Sequence, residues 1–485
     1  MLYFWQYICA VNSAYIFLLG AAMKKTKVYL LAVSSLLMTA GNVNASGFAL
    51  IEQSASGLGN AYAGGAAAAE DATTVFFNPA GMVLLKGQQL VSVLHYISPA
   101  ASFGKETARN VAGTSLSGGE SGDAGVATPV PNIYYAARLN SDLAVGLGIS
   151  TPFGLTTEYD NTWVGRYHAV KSEMMTININ PSVAYKINNR FSVGAGFNAQ
   201  YLKAELSSMI DFGLAAYSRL LSTGQNAQAT ALATAGALSN TRADIFGVLK
   251  GDSWGYGYNV GALFTPSEST RFGIAYRSQI KHSLKGDATF SPRDSSYLSA
   301  LGLSATAGAM FANQTIASSI TLPASLSVSA YHRINPSWAI MADASWTQWS
   351  SFDKLIINFD GSLKNSPSIT TESWRDTWRL SAGASYTPMP KLVVRTGFAF
   401  DQTPVPDAEH RTPRIPDNDR YWMAIGAGYA FSDTMGADIG YAHLFVTDAK
   451  INKSSTTPED SGRGTLVGTY KDSVDIISAQ LKVNF

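Results

Sequence analysis

The sequence predicts an all-β membrane protein, a 14-stranded antiparallel transmembrane β-barrel with an N-terminal hatch (plug) inside its lumen. Three observations predict it. In the final stretch, Asp472–Phe485, residues Ile477, Ala479, Leu481, Val483 and Phe485 fall on one face, and Ser478, Gln480, Lys482 and Asn484 on the other. A period of two makes a strand with one apolar and one polar face. Apolar-out and polar-in is what lipid outside and water or solute inside require of a barrel strand, and a terminal aromatic closes it here. Beyond the N-terminal region the chain has no run of about 18 apolar residues, the length a spanning helix needs. Only helices and closed barrels satisfy every backbone group in lipid. Finally, short and long connections alternate along the whole chain.

The N-terminus reads as an export signal over residues 1–45. Met23-Lys24-Lys25-Thr26-Lys27 is a basic start, Val28–Ala40 a short apolar stretch, and Val43-Asn44-Ala45 a small-x-small cleavage site. This predicts Met23 as the true start and Ser46 as the mature one; the apolar stretch is too short for an anchor. Cys9, the one cysteine of the sequence, lies upstream, so the mature chain carries no disulfide, no thiol chemistry and no lipidated cysteine. A net charge of +1 gives no reason to expect a nucleic-acid partner.

Residues 46–87 differ from the rest of the mature chain. The stretch from Ser54 to Gly65 is rich in small residues and lacks alternation, a composition that lets backbone pack closely in a confined space. It suits a plug inside the barrel, or a free periplasmic tail. Residues 88–485 supply the barrel, with strands expected at 88–98, 131–139, 142–151, 174–187, 190–205, 254–266, 270–284, 322–334, 337–349, 376–388, 391–401, 420–431, 434–446 and 472–485. Asn140-Ser141, Asn188-Asn189, the stretch 266–270, Asn335-Pro336, Met389-Pro390 and Ser432-Asp433 are short turns of turn-forming residues. Long polar connections at 99–130, 152–173, 206–253, 285–321, 350–375, 402–419 and 447–471 lie between them. Short periplasmic turns, long outer loops and an even strand number put both termini in the periplasm. In the fifth strand Phe191, Val193, Phe197 and Tyr201 oppose Ser192, Asn198 and Gln200; in the sixth, Tyr256, Tyr258 and Val260 oppose Gly255, Gly257 and Asn259. Trp254, Trp346, Trp378 and Tyr429 near strand ends fit interfacial girdles. A soluble sandwich would explain neither the alternating loops nor Phe485.

These residues resemble the FadL/TodX family of outer-membrane transporters of hydrophobic compounds. The resemblance covers essentially the whole mature chain. It is carried by Ser56-Gly57-Leu58-Gly59, Ala61–Gly64 and Asn78-Pro79-Ala80 in the hatch region, then Pro152–Leu155, Trp163–Glu173, and Leu322-Pro323 onward to Phe352. Its most specific part is Phe400–Pro406 leading to Arg414–Trp422. The resemblance implies a monomeric fourteen-stranded barrel closed by a hatch, embedded among outer-membrane lipid and lipopolysaccharide. It further implies ligand capture in an apolar groove between outer loops, transfer to a tighter inner site, and release sideways through a gap at a kink in the third strand. Such a route is physically sensible, because an acyl chain gains about 0.8 kcal/mol per buried CH₂ and a watery pore offers it none.

On that resemblance, Lys203 and Arg375 are expected to meet a fatty-acid carboxylate, which needs a cation in an apolar pocket. Parity puts Arg375 on the lumen face with Thr377 and Arg379, and puts Lys203 on the outward face with Phe197 and Tyr201 unless a bulge intervenes. Phe76 and Phe77 are expected to line the pocket or pack the hatch. Trp163, Val164 and Tyr167 are candidates for the outer groove. Asn78, with Pro79 and Ala80, forms a hatch turn expected to hydrogen-bond the kinked strand, and Pro152 and Gly154 mark the gap, since proline cannot join a ladder and glycine often marks a bend. Arg379 and Arg395 are expected to pair with hatch acids such as Glu52, Glu70 or Asp71. The six histidines are scattered, and neither His-Glu-x-x-His nor Gly-x-Ser-x-Gly occurs. No enzyme activity, catalytic residue, metal site or cofactor is expected. The function read from the chain is passive transport of hydrophobic compounds, long-chain fatty acids first. Aromatic hydrocarbons or a general porin are the alternatives.

Overall fold

The computed structural model describes residues 47–485, so the export signal expected over 1–45 lies outside the described residues. The chain forms one sheet of twenty ladder segments that closes on itself. Six segments continue a neighbour across a bend, leaving fourteen antiparallel strands. In order these are β1 (Gln88–Arg109), β2 (Thr128–Arg138), β3 (Leu143–Ser150, resuming at Gly154–Glu158), β4 (Lys171–Lys186), β5 (Phe191–Ile210) and β6 (Ile245–Ser267). Next come β7 (Thr270–Arg277 and Ile280–Pro292), β8 (Gln314–Leu322 and Ser325–Arg333), β9 (Trp338–Thr347 and Lys354–Phe359) and β10 (Ser368–Thr371 and Thr377–Met389). The last are β11 (Leu392–Asp401), β12 (Arg420–Ala430), β13 (Met435–Val446 and Ala449–Lys453) and β14 (Thr465–Asn484). Closure is the long ladder of β1 on β14, from Gln89↔Asn484 to Arg109↔Thr465.

The expected faces are the observed ones. Phe191, Phe197, Tyr256, Tyr258, Ile477 and Phe485 are exposed on the outer wall, while Asn198, Gln200, Asn259, Ser478 and Gln480 are buried inside. Stacked outer pairs Phe191–Phe264 and Trp338–Tyr386 brace neighbouring strands near the turn end.

Residues 47–87 fill the lumen. Their short helices α1 (Ala55–Leu58), α2 (Gly65–Ala68) and α3 (Thr74–Phe77) have no exposed residue, and most of their residues are buried. Backbone meets backbone here: a Cβ on Gly273 of β7 would lie 1.9 Å from the Ala66 carbonyl oxygen, and one on Gly397 of β11 would lie 2.1 Å from the Asn60 carbonyl carbon. Polar groups fix the orientation. Ala55 N–H donates to Gln480 Oε1 (3.0 Å), Ala66 N–H to Ser329 Oγ (3.0 Å), and Arg379 Nη2 to the Ala61 carbonyl (2.9 Å). Arg395 bridges Glu70 of the hatch (3.0 Å) and Asp438 of β13 (2.8 Å). The arginine pairings expected from parity are therefore present for Arg395–Glu70, while Arg379 holds a hatch carbonyl instead.

The long connections are shorter than the sequence suggests, because β1, β5, β6 and β14 run on well past the outward apolar band. Two connections carry helices that the sequence does not announce, α4 (Phe212–Ser222) with α5 (Asn226–Thr234), and α6 (Ser295–Ala300) with α7 (Ser304–Met310). Phe212, Leu232, Leu298 and Leu303 pack together between them.

Candidate functional site

The third strand is broken where Pro152 and Gly154 predict it. On one side, β3 pairs with β2 only from Ile133↔Ile149 downward, so residues 128–132 of β2 keep their ladder with β1 alone. On the other side, β3 pairs with β4 at Ser150↔Asn178 and again at Gly154↔Met175. Between those pairs β3 advances four residues (150 to 154) and β4 three (178 to 175), so the break holds one extra residue, a bulge. Proline cannot donate to a ladder, and Pro152 is the residue whose carbonyl turns inward.

What the break bonds to is the hatch's first described segment. Leu50 N–H donates to the Pro152 carbonyl (2.8 Å), and Gly154 N–H donates to the Phe48 carbonyl (3.0 Å). Gln53 Nε2 donates to the Thr151 carbonyl (3.2 Å), and Asn132 Nδ2 of β2 donates to the Glu52 carbonyl (3.0 Å). Asn132 Oδ1 in turn accepts from Thr151 N–H (3.0 Å), so one side chain stitches the wall where the ladder is missing. The hatch segment 48–53 thus takes the place of a strand neighbour.

Phe48 also lines a largely apolar cavity. Around it Phe153, Trp349, Phe352 and Trp374 form an aromatic cluster, with ring centroids 4.7–6.2 Å from Phe48. Above the cluster the cavity is walled by Leu155, Met174, Leu202, Leu284, Ile320 and Leu355, an almost wholly apolar surface. Two ionisable groups enter it from the depth. Arg414, in the connection before β12, donates to the Lys171 carbonyl (3.1 Å), Ser172 Oγ (3.0 Å) and the Ser207 carbonyl (3.3 Å), all neutral acceptors. Burial pulls its guanidinium down to about 9, and the nearby charge of Arg463 adds to that. Among the described residues no carboxylate forms an ion pair with it. Glu372, buried between the two segments of β10, accepts from Trp374 Nε1 (3.2 Å), and burial pushes its carboxyl up to about 7 against the opposing charges of Lys453 and Arg414. A cation held by neutral oxygens in an apolar cavity is what a carboxylate with a hydrocarbon tail requires.

Several expected site residues lie elsewhere. Arg375 is exposed and outside the cavity: β10 resumes only at Thr377, so the parity that would turn Arg375 inward does not reach it. Lys203 is exposed and pairs in unbroken register with Met175, so no bulge turns it in; its neighbours Leu202 and Ala204 line the cavity instead. Asn78 does not reach the kinked strand. Its Nδ2 donates to the carbonyls of Ala66 (2.7 Å) and of Ala262 on β6 (3.0 Å), and its Oδ1 caps Ala80 N–H (3.1 Å) in the turn with Pro79. The hatch-to-kink bonds come from Leu50, Gln53 and Phe48. Phe76 lies under the Arg277 guanidinium (4.4 Å), and Phe77 packs on Tyr62 (5.9 Å), both within the hatch contacts and away from the cavity. Trp163, Val164 and Tyr167 form no open groove: Trp163 stacks on Tyr159 at 4.1 Å, and Tyr167 Oη donates to Asp244 Oδ1 (2.9 Å) beside the buried Arg166–Asp244 pair. Arg414 stands out in the sequence only as part of a stretch; nothing in its spacing marks it as the inward cation.

Replacing Asn78 by alanine is expected to destabilise the hatch turn by about 1–3 kcal/mol, because two carbonyls lose a buried donor. Hydrogen exchange should quicken over residues 65–84 with the barrel ladders unchanged, and equal protection in both proteins would contradict this anchoring role.

Comparison with known proteins agrees with this architecture. Residues 36–485 match the family model described as outer membrane protein transport protein (OMPP1/FadL/TodX). The long-chain fatty acid transport protein of Escherichia coli K12 is 33% identical over 431 residues, spanning 87% of this chain and 93% of that one. The 47 kDa outer membrane protein of Pasteurella multocida is 34% identical, over 85% of this chain and 90% of its own. Among solved structures, a Pseudomonas aeruginosa FadL homologue superposes with a TM-score of 0.80 at 25% identity, covering 91% of this chain and all (100%) of that one. The P. putida toluene transporter TodX superposes with a TM-score of 0.61 at 16% identity over 85% of this chain and 94% of its own, a likeness of fold. A closed fourteen-stranded barrel, a lumen filled by its own N-terminal segment, and a third strand broken beside an apolar cavity all meet in one chain. This chain belongs to the FadL/TodX family of outer-membrane proteins that transport hydrophobic compounds.

Proposed function

We propose that the protein carries long-chain fatty acids passively across the outer membrane, binding them in the Phe48–Arg414 cavity and releasing them sideways at the break in β3. The observation that carries this reading is Arg414. It is a cation without an ion-pair partner among the described residues, set in a cavity whose surface is mostly apolar and of the right character for an acyl chain. Relatives named as long-chain fatty acid transport proteins support the ligand class. The bulge at Pro152 and the missing ladder beyond Ile133 support the lateral exit. On this reading the hatch, held by Asn78-Pro79-Ala80 at one side and by Phe48–Gln53 at the other, moves rather than leaves. The barrel works as a monomer among outer-membrane lipid and lipopolysaccharide, with both termini periplasmic, and has no enzymatic step. A lumen filled by the hatch favours this over an open porin.

The test is the preference for an acid over its alcohol. Arg414→Gln should weaken binding of oleate by about 1.5–3 kcal/mol, the scale of a charge-assisted hydrogen bond, or roughly tenfold to a hundredfold. Oleyl alcohol, of equal length, should bind both proteins alike. Equal losses for the two ligands would instead favour an uncharged cargo such as an aromatic hydrocarbon, for which the ring cluster around Phe48 is a suitable surface.

A further inference from the structure

Glu372 is an acid where an anion is to bind. It lines the same cavity as Arg414, is only 3% exposed, and its carboxylate is the acid whose charge acts on that guanidinium. The charged groups facing this pair come from every adjoining element. Lys453 of β13 donates to the Glu409 carbonyl (2.6 Å). In the connection before β14, Glu459 holds Thr371 N–H (2.9 Å) and Asp460 pairs with Arg463 (3.5 Å). His168, in the connection before β4, approaches Asp460 at 3.6 Å. Toward the cavity mouth, Lys171 bridges Glu173 (2.5 Å) and Glu205 (3.8 Å), Glu205 pairs with Lys250 (3.0 Å), and Lys285 is exposed. Lys171 and Lys250 are paired at the mouth with Glu173 and Glu205, while Arg414 and Glu372 line the cavity without an ion-pair contact to each other.

A ligand carboxylate arriving at Arg414 puts a second carboxylate into the largely apolar cavity that Glu372 already lines, beside the one guanidinium on which the Glu372 charge acts. Like charges so placed do not both stay ionised; one takes a proton. The ligand is the one positioned by the cation, so the resident acid is the one that yields. Resting on the reading of Arg414 above, we infer that Glu372 is a proton-accepting specificity residue: each carboxylate bound at Arg414 draws one proton from solvent onto Glu372, whereas an uncharged ligand draws none.

Burial already lifts the Glu372 carboxyl to about 7 in the empty cavity, and this sets the direction of the pH dependence. Below that pH the group is protonated before the ligand arrives, and this linkage contributes no pH dependence. Above it, the ionised acid must be protonated on binding, so affinity for a carboxylate falls by up to about tenfold per pH unit. His168 does not produce the same profile, because burial and the charges of Arg463, Lys453 and Arg414 hold it far below its ordinary range and neutral throughout.

The experiment measures oleate and oleyl alcohol binding to the purified full-length protein at pH 6, 7, 8 and 9, in wild type and in Glu372→Gln. Ligand titration is common to both proteins, so the difference isolates Glu372. Wild type should lose roughly 10- to 100-fold in oleate affinity between pH 7 and 9, and Glu372→Gln should stay within about threefold. The alcohol should be flat in both. A flat wild-type profile overturns the inference, as does the same slope in Glu372→Gln. Should the variant fail to fold, calorimetry of oleate binding to wild type in buffers of different ionisation enthalpy decides: uptake approaching one proton at pH 9 is expected, and none overturns it. An Arg414→Gln protein that keeps its preference for the acid sinks the underlying reading, whatever the pH profile. An Arg414-dependent preference with superimposable wild-type and Glu372→Gln profiles sinks this inference alone.

Discussion

Deleting Pro152 is expected to cut uptake of a long-chain fatty acid by about tenfold or more, an added barrier of at least about 1.4 kcal/mol, while its binding in the cavity is kept. The reason is the ladder count. The break between Ser150 and Gly154 holds one residue more than the facing stretch of β4, so removing one residue lets 150–154 pair with 178–175 without a bulge. A straight β3 then also faces residues 128–132 of β2, whose outer ladder partner is missing in the native barrel. The wall gains hydrogen bonds and loses its opening. The cavity walls at Leu202, Leu284 and Ile320 stand on other strands and remain. Uptake and equilibrium binding of the same radiolabelled acid separate the two effects. Normal uptake by the deletion variant would mean that cargo passes the hatch into the periplasm.

Gly397→Val is expected to force the hatch off its seat and turn a closed barrel into a conducting one. A side chain at Gly397 would meet the Asn60 carbonyl carbon at 2.1 Å and the Ala61 nitrogen at 2.6 Å, backbone atoms that cannot swing aside. The strand itself accepts valine readily, since its ladders to Gly383 and Ala424 use backbone groups only. The strain therefore falls on the hatch, whose contacts near Asn60 include the Arg379–Ala61 bond, and overpacking with a lost buried bond reaches about 4–5 kcal/mol. Planar-bilayer conductance should rise from near closed to that of a water-filled barrel, and cells should become sensitive to bulky polar antibiotics. Unchanged conductance would show that the hatch yields locally and that the fit at Gly397 does not hold it in place.

The wall is legible in the sequence wherever lipid writes on it. The alternation from Phe191 to Tyr201, and from Ile477 to Phe485, exists because one face meets hydrocarbon and the other meets polar lumen. Where the strands leave the membrane, that constraint ends. Lys105, Glu106 and Arg109 sit in β1 without any alternation to announce it, and so the expected strand stops short of the observed one. The same loss of signal misplaces Arg375: parity counted back from Thr377 runs through an irregular stretch that breaks it. For Lys203 parity gives the outward face that the structure shows, and only the expected role asks for a bulge that the register does not contain. Glycine and alanine richness in residues 54–65 does signal close backbone contact, as of Asn60 with Gly397 and of Gly59 with Gly426. The cavity is not readable from the chain. Phe48 lines it, its other walls come from β3 to β9, and its cation comes from a connection more than 200 residues away, held by the carbonyl of Ser207. Nothing local in a sequence encodes that meeting.

The most direct measurement is a crystal structure of the purified barrel with bound oleate. The carboxylate is expected within hydrogen-bonding distance of the Arg414 guanidinium, with the acyl chain running between Leu202, Leu284 and Ile320 onto Phe48, beside the open edge at Pro152. A carboxylate seated instead at Lys203 or Arg375 on the outer face, or an acyl chain threading the hatch toward Glu70, would contradict both the cavity and the exit assigned to this barrel.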